Sequence, residues 1–283
     1  MKYFVCMPRG GISDMLYVIN FSLEYCLKYD RVLIIKYDND GWIHDKITKY
    51  ITFNHPKIYN GDINEKLNEL EKTTIFPNEI KELQNIRAKY INNNYHIIIG
   101  EKYICGKIEL DKEYTEDTIL YCGCYGGIPK MILKYIKITS IVLAVYYERL
   151  YTLNKEYISI HIRDTDLPTE NIYDFINNIN NKIVENKCVF LASDNYKTIQ
   201  YLKSLYGDKI HTFSKITDNN GKNMHYYYDK NLLTNEELVI DCLVDLLLLS
   251  SAKEYYYSNC KSNYSLTANY LYNNKDILNN LLF

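Results

Sequence analysis

Ile158-Ser159-Ile160-His161-Ile162-Arg163-Asp164-Thr165-Asp166 begins as an alternating strand and ends as a polar turn. His161 and Arg163 are two residues apart, so in an extended chain their side chains leave on the same face. An arginine at the carboxyl edge of a strand offers a planar fork that suits a pyrophosphate. Asp166, in the turn, can hold that arginine or cap the helix that follows. Taken alone, the stretch is equally an exposed ion pair at a strand end, an arrangement that contributes little to stability.

Working outward from this strand, the periodicity alternates. C-terminal to it, helices are predicted over Ile172–Val184, Thr198–Leu205, Glu236–Ser250 and Ser265–Tyr272, with strands at Cys188–Leu191, Lys209–Phe213 and Tyr255–Tyr257. The polar stretch 214–231 reads as a loop. N-terminal to it, Ile138–Leu153 reads as a helix and Asn154-Lys155 as a linker. At the start, Tyr3–Met7, the turn Gly10-Gly11, a helix over Asp14–Tyr29 and a strand in Arg31–Tyr37 make one βαβ unit. A helical stretch follows near Asn64–Leu70 in an otherwise irregular segment. The apolar runs His96–Ile99 and Thr118–Cys122 are candidate strands of the same sheet. Strands that alternate with helices imply parallel sheets covered on both faces. The chain therefore reads as two α/β halves, 1–153 and 154–283. Such sheets bind ligands at the carboxyl ends of their strands.

Composition removes several function classes. A chain of 283 residues supports two small domains. The formal net charge of -2 argues against nucleic acid as a partner, since its binders carry a basic excess. The eight cysteines show no zinc spacing, and reduced, mostly buried thiols are expected. No apolar window reaches the ~18 residues of a transmembrane span, and no signal-peptide pattern opens the chain, so a cytoplasmic protein without a transmembrane segment is expected. With 31 Tyr but only 8 Phe and 1 Trp, the composition reflects A/T-rich coding more than function, and single tyrosines and asparagines carry little weight.

Three segments after residue 154 occur in a familiar order. His161-x-Arg163-x-x-Asp166 is followed by Val189-Phe190-Leu191-Ala192-Ser193-Asp194-Asn195. Then come Asp245-Leu246-Leu247-Leu248-Leu249-Ser250 and Ser258-Asn259-Cys260-Lys261-Ser262-Asn263-Tyr264-Ser265. Together they resemble the three motifs of the superfamily that includes the α-1,2-, α-1,6- and protein-O-fucosyltransferases. Gly10-Gly11-Ile12-Ser13-Asp14 resembles the glycine-rich turn that opens its first domain. The likeness covers roughly the first 35 residues and 155–272. It is nearest in outline to the α-1,2 branch through Ser262-Asn263-Tyr264-Ser265. Thr165-Asp166 is nearer the α-1,6 branch, and Asp164 stands where both branches usually have a second arginine.

The resemblance implies a GT-B fold, with two facing Rossmann-like domains and parallel sheets, the first on the acceptor side and the second binding the nucleotide sugar. It implies an inverting transfer of L-fucose from GDP-fucose to a glycan hydroxyl, with no metal and no cofactor beyond the donor substrate. Arg163 would bind the β-phosphate and stabilise departing GDP, and His161 would contact the nucleotide. Asp194 would shape the nucleotide pocket, and Asp245 would read guanine. Ser262, with Tyr264 and Ser265, would contact phosphate or fucose. Plainer roles stand beside these. Asp194 and Ser262 suit helix caps, Gly10-Gly11 a turn, and Asp14 either a helix cap or the base for the acceptor hydroxyl. A buried Asp245 on an apolar helix requires a partner. A GT-B transferase with another GDP-sugar, or a nucleotide-sugar-binding protein without turnover, would use the same residues.

Overall fold

The computed structural model describes all residues except 38–46, 85, 92–93, 100, 106–107, 125, 155, 166–170 and 219–232. Two compact units divide the chain, Met1–Lys137 and Ile138–Phe283.

The first unit runs β1 (Lys2–Pro8), α1 (Ile12–Lys28), β2 (Arg31–Ile35), β3 (Ile51–Phe53), α2 (Ile63–Leu70), β4 (Ile75–Phe76), β5 (Arg87–Ile91), β6 (Asn94–Ile99), β7 (Lys102–Cys105), β8 (Thr118–Gly123) and β9 (Ile136–Ile138). Its main sheet has the order β2-β1-β8-β4 and is parallel throughout. One face of that sheet packs Val5, Met7, Ile34 and Leu120 against Leu67 and Leu70 of α2. Phe4, on the opposite face by alternation, meets Tyr25 of α1 with ring centroids 5.2 Å apart. Arg31 is buried because its guanidinium donates to a set of carbonyls, those of Glu116 (3.0 Å), Tyr3 (3.3 Å) and Tyr114 among them.

One expectation fails here. The run at His96–Ile99 belongs to β6, which pairs antiparallel with β5 and β7 in a separate three-stranded sheet. The run at Thr118–Cys122 does join the main sheet, as β8.

The second unit runs α3 (Ser140–Thr152), β10 (Ile158–Ile162), α4 (Ile172–Glu185), β11 (Val189–Ser193), α5 (Tyr196–Tyr206), β12 (Ile210–His211), α6 (Asn235–Ser251), β13 (Glu254–Tyr257), α7 (Asn263–Asn273) and α8 (Lys275–Leu282). Its sheet, β12-β11-β10-β13, is parallel. The alternation in β10 sorts its two faces. Ile158, Ile160 and Ile162 pack with Ile176, Ile179 and Ile183 of α4 and Ile199 and Leu202 of α5. Ser159 and His161 turn the other way, toward α6 and α7, where Ser159 donates to the Leu249 carbonyl at 2.9 Å and His161 meets Ser265. Helix α6 is apolar around most of its circumference and buried on all sides, as such a helix must be. Its start is fixed by a capping box between Thr234 and Glu237.

Helix α3 was expected to close the first half, with a boundary after residue 153. It belongs to the second unit. Its Tyr146 hydroxyl lies 2.7 Å from the Ser251 hydroxyl, and Arg149 pairs with Asp241 of α6.

Candidate functional site

Chain order and spatial order disagree at the same place in each sheet. In the second unit the chain moves outward from β10 to β11 and β12, then returns to place β13 on the other side of β10. In the first unit it moves from β1 to β2, then places β8 on the other side of β1. In open α/β sheets such a switch point, just beyond the strand's carboxyl end, is where ligands bind. The switch point of the second unit lies at His161–Thr165, and that of the first at Arg9–Gly11.

At the second-unit switch point the backbone is pinned from both neighbours. The Arg163 N–H donates to Ser258 Oγ at 3.3 Å, just past β13, and the Ser258 N–H donates to the His161 carbonyl at 3.0 Å. On the other side, Asp194 at the end of β11 takes three donors. The Asp164 N–H reaches its Oδ1 at 2.8 Å, the Thr165 hydroxyl donates to Oδ2, and Arg163 Nη1 lies 2.9 Å from Oδ2. Arg163 is thus held by Asp194. Asp166, which the sequence also offers for that role, lies outside the described residues.

Asp194 does not cap α5. That role falls to Asn195, whose side chain accepts from the Lys197 N–H at 2.9 Å and donates to the Asp164 carbonyl at 2.9 Å. The carboxylate of Asp164 accepts from Thr198 Oγ1 at 2.6 Å and Asn195 Nδ2 at 3.2 Å. Its charge is turned into the start of α5, which is favourable for an anion at a helix N-terminus.

His161 is buried, with Nδ1 2.6 Å from Ser265 Oγ and its ring 5.1 Å from that of Tyr264. Burial, reinforced by the Arg163 charge, pushes its pKa down to about 3, so the imidazole is neutral. Ser262 is the N-cap of α7 and accepts from the Ser265 N–H at 3.3 Å. The hydroxyl of Tyr264 donates to the Cys242 carbonyl on α6 at 2.7 Å. His161, Tyr264 and Ser265 therefore form one buried contact, with Ser262 fixing the helix that carries two of them.

Asp245 has the partner that its burial demands. Ser214 donates to its Oδ2 at 2.6 Å, and Arg149 Nη1 lies 3.6 Å from its Oδ1. Burial, with Asp241 one turn away, raises its pKa to about 7 against the opposing pull of Ser214 and Arg149. Arg149, Asp241 and Ser214 were not singled out by sequence, and Ser258 stood in a quoted motif without a role of its own. The readable sign was the pair Asp241 and Asp245, two carboxylates at i,i+4 on a helix otherwise too apolar to bear them, which calls for a cation from elsewhere.

In the first unit, Gly10 has φ of +95°, a conformation glycine adopts freely. A Cβ there would also lie 2.6 Å from Cys124 Sγ and 3.0 Å from Asp14 Cβ. Gly11 is the N-cap of α1 and makes no side-chain cap bond. Asp14 is therefore not the cap but lies inside the first turn. Arg9, unassigned by sequence, is buried between Pro8 and this turn. The structure thus groups Gly10, Gly11 and Asp14 at one switch point. It groups His161, Arg163, Asp194, Tyr264 and Ser265 at the other, with Asp245 reached through Tyr264 and Cys242.

Among the described residues, no group of three or more His, Cys, Asp or Glu could hold a metal ion, and no helix is long and apolar enough to cross a membrane.

No protein-family model and no curated protein matches the sequence. Solved structures match over nearly the whole chain. The NodZ alpha-1,6-fucosyltransferase co-crystallised with GDP aligns with a TM-score of 0.65 at 15% identity, covering 96% of this chain and 93% of that one. The fucosyltransferase NodZ from Bradyrhizobium aligns at 0.63 and 14%, covering 96% and 93%. An Arabidopsis thaliana FUT1 variant in complex with GDP aligns at 0.53 and 11%, covering 96% and 68%. The chain has an α/β fold with parallel sheets, similar to the GT-B fold of these fucosyltransferases.

Proposed function

We propose that this protein is an inverting glycosyltransferase that takes L-fucose from GDP-fucose and passes it to a glycan hydroxyl. One observation carries the reading. At the switch point of the second sheet, the Arg163 guanidinium stands at the end of β10, fixed by Asp194 from the end of β11. In glycosyl transfer, the bond to the leaving nucleotide lengthens before the acceptor bond is complete, and negative charge grows on the β-phosphate. A guanidinium already held in place meets that charge without reorganising. It has five N–H donors, enough to serve a carboxylate and a phosphate together.

In this reading, His161, neutral and locked to Ser265, offers shape and a ring nitrogen to the nucleotide. Asp245 receives the guanine N1–H and amino group, and Ser262 and Tyr264 line the sugar-phosphate side. Asp166 belongs to the same donor set. Gly10 and Gly11 are assigned to the donor set as well, and Asp14 is the candidate base for the acceptor hydroxyl. The solved structures described as binding GDP or soaked with GDP-fucose support this donor class. The departure of GDP is stabilised by Arg163 without a divalent ion. The test is GDP release from GDP-fucose with EDTA present. Release that persists supports the reading, whereas release abolished by EDTA and restored by manganese removes the metal-free part of it.

A further inference from the structure

Two carboxylates and one guanidinium share a buried corner of the second unit. Asp241 and Asp245 stand one turn apart on α6, and Arg149 reaches them from the last turn of α3. The sharing is unequal. Arg149 Nη2 hydrogen-bonds Asp241 Oδ1, while its Nη1 stays 3.6 Å from Asp245 Oδ1. Neither Arg149 Nη1 nor Asp245 Oδ1 has a hydrogen-bond partner among the described residues, although both are buried. The guanidinium also lies over the Phe213 ring at 5.4 Å, and that ring stacks on Phe190 at 5.8 Å, so its position is set by packing. One oxygen of Asp245 is taken by Ser214, and the other is left as an acceptor.

We infer that Arg149 is a positioning residue for the nucleotide base, orienting and charging the Asp245 carboxylate, and that Asp241 limits base affinity by holding Arg149 away from it. This rests on the proposed role of Asp245 as the group that receives guanine. The other groups facing Asp245 are Ser214 from the segment after β12, Tyr264 from α7, and Cys242 on α6, with the Arg163 charge beyond Cys242. Lys215 acts on the neighbouring carboxylate, through its backbone on Asp241, and its amine pairs with Glu237.

Two negative charges against one positive charge in a buried site favour uptake of a proton. Asp245 has the longer ion-pair contact and is raised to about 7. A protonated carboxyl turns one oxygen into a donor and keeps only the other as an acceptor, so only the ionised form accepts from both the guanine N1–H and its amino group. Apparent affinity then follows the ionised fraction and falls roughly tenfold from pH 8 to pH 6 on this account.

The experiment is titration of GDP into the full-length protein by calorimetry from pH 6 to pH 8. Variants are compared with the unaltered protein at each pH so that the titration of GDP itself cancels. Asp241→Asn frees Arg149 for Asp245. It is expected to bind GDP up to about tenfold more tightly at pH 6, with the gain vanishing toward pH 8. Arg149→Gln is expected to weaken binding most at neutral and acidic pH and least at pH 8, and Arg149→Lys to restore part of the loss. An Asp241→Asn to wild-type ratio that is flat across pH overturns the inference, and so does an Arg149→Gln loss that is the same at every pH. Asp245→Asn separates the two levels of argument. If it binds GDP normally, the base-reading role of Asp245 falls and the inference with it. If it loses binding while the Asp241→Asn ratio stays flat, only the inference falls.

Discussion

His161 and Asp245 are both buried in the second unit, and burial moves their titrations in opposite directions. The imidazole falls to about 3 and the carboxyl rises to about 7. In an unfolded chain these groups titrate near ~6.5 and ~3.9. Between about pH 4 and 6.5 the unfolded chain binds a proton at His161 that the fold refuses, so this group costs stability as pH falls. Over the same range the fold keeps a proton at Asp245 that the unfolded chain has lost, so this group costs stability as pH rises. Each slope approaches about 1.4 kcal/mol per pH unit at most, and the two oppose each other. Asp245→Asn removes one of them. Its stability relative to wild type should climb with pH between 4 and 6.5, measured by thermal unfolding at each pH, and parallel curves would refute the opposition. Arg163 is tested separately. Arg163→Ala should lose roughly a hundred- to a thousand-fold in turnover, about 3 to 4 kcal/mol in the transition state, and bind GDP more weakly. Arg163→Lys should be impaired as well, because it keeps charge but not the fork. A variant that unfolds while its folded fraction stays active would make Arg163 a structural ion-pair residue. Arginine itself was an underused sign. Only five of the 33 cations are arginines, and of these Arg31 holds backbone carbonyls while Arg149 and Arg163 hold buried carboxylates.

At the scale of elements, the turn after β10 is built as much by its neighbour as by itself. Asn195 caps α5 and binds the Asp164 carbonyl, so it couples a helix start to the segment that carries Arg163. Asn195→Ala should cost about 1 kcal/mol through the lost cap alone and should also weaken GDP binding by loosening that segment. Thr234→Ala, at the capping box of α6, should cost a similar amount in urea unfolding and leave GDP binding unchanged. Equal GDP affinity in both variants would separate the α5 cap from the site. The alternating helices and strands of the second unit were readable because their periodicities are long and unmixed, as in Ile158–Ile162 and Ile172–Glu185. In the separate three-stranded sheet only the β6 run, His96–Ile99, was readable as a strand, and its partners were not, since Arg87–Ile91 mixes charge with apolar residues. The pair Asn92-Asn93 between two strands was the available turn sign. Helix α8 was missed because it follows α7 after a single residue, Asn274, with no Gly or Pro to mark the break.

For the whole molecule, the two sheets share one device. Each reverses its strand order at the strand whose carboxyl end bears the motif, β1 with Gly10-Gly11 and β10 with His161–Asp164. The motifs were legible in sequence because their chemistry is local to one strand end. Contacts that cross elements, such as Asp194 to Arg163 or Arg149 to Asp245, were not, because a pairing between residues 31 or 96 positions apart leaves no periodic trace. The placement of α3 shows the same limit, since the boundary after residue 153 followed a polar linker while the helix itself is bound to α6. The central claim is that the second unit receives a guanosine diphosphate sugar, and thermal unfolding against a panel of nucleotides tests it most directly. GDP and GDP-fucose at about 100 times their dissociation constants should stabilise the fold by about 2.7 kcal/mol, with UDP-glucose, UDP and ADP well below them, because Asp245 accepts from the guanine edge and uracil and adenine lack that pair of donors. Equal or larger stabilisation by UDP-glucose, or none by GDP, would contradict the account.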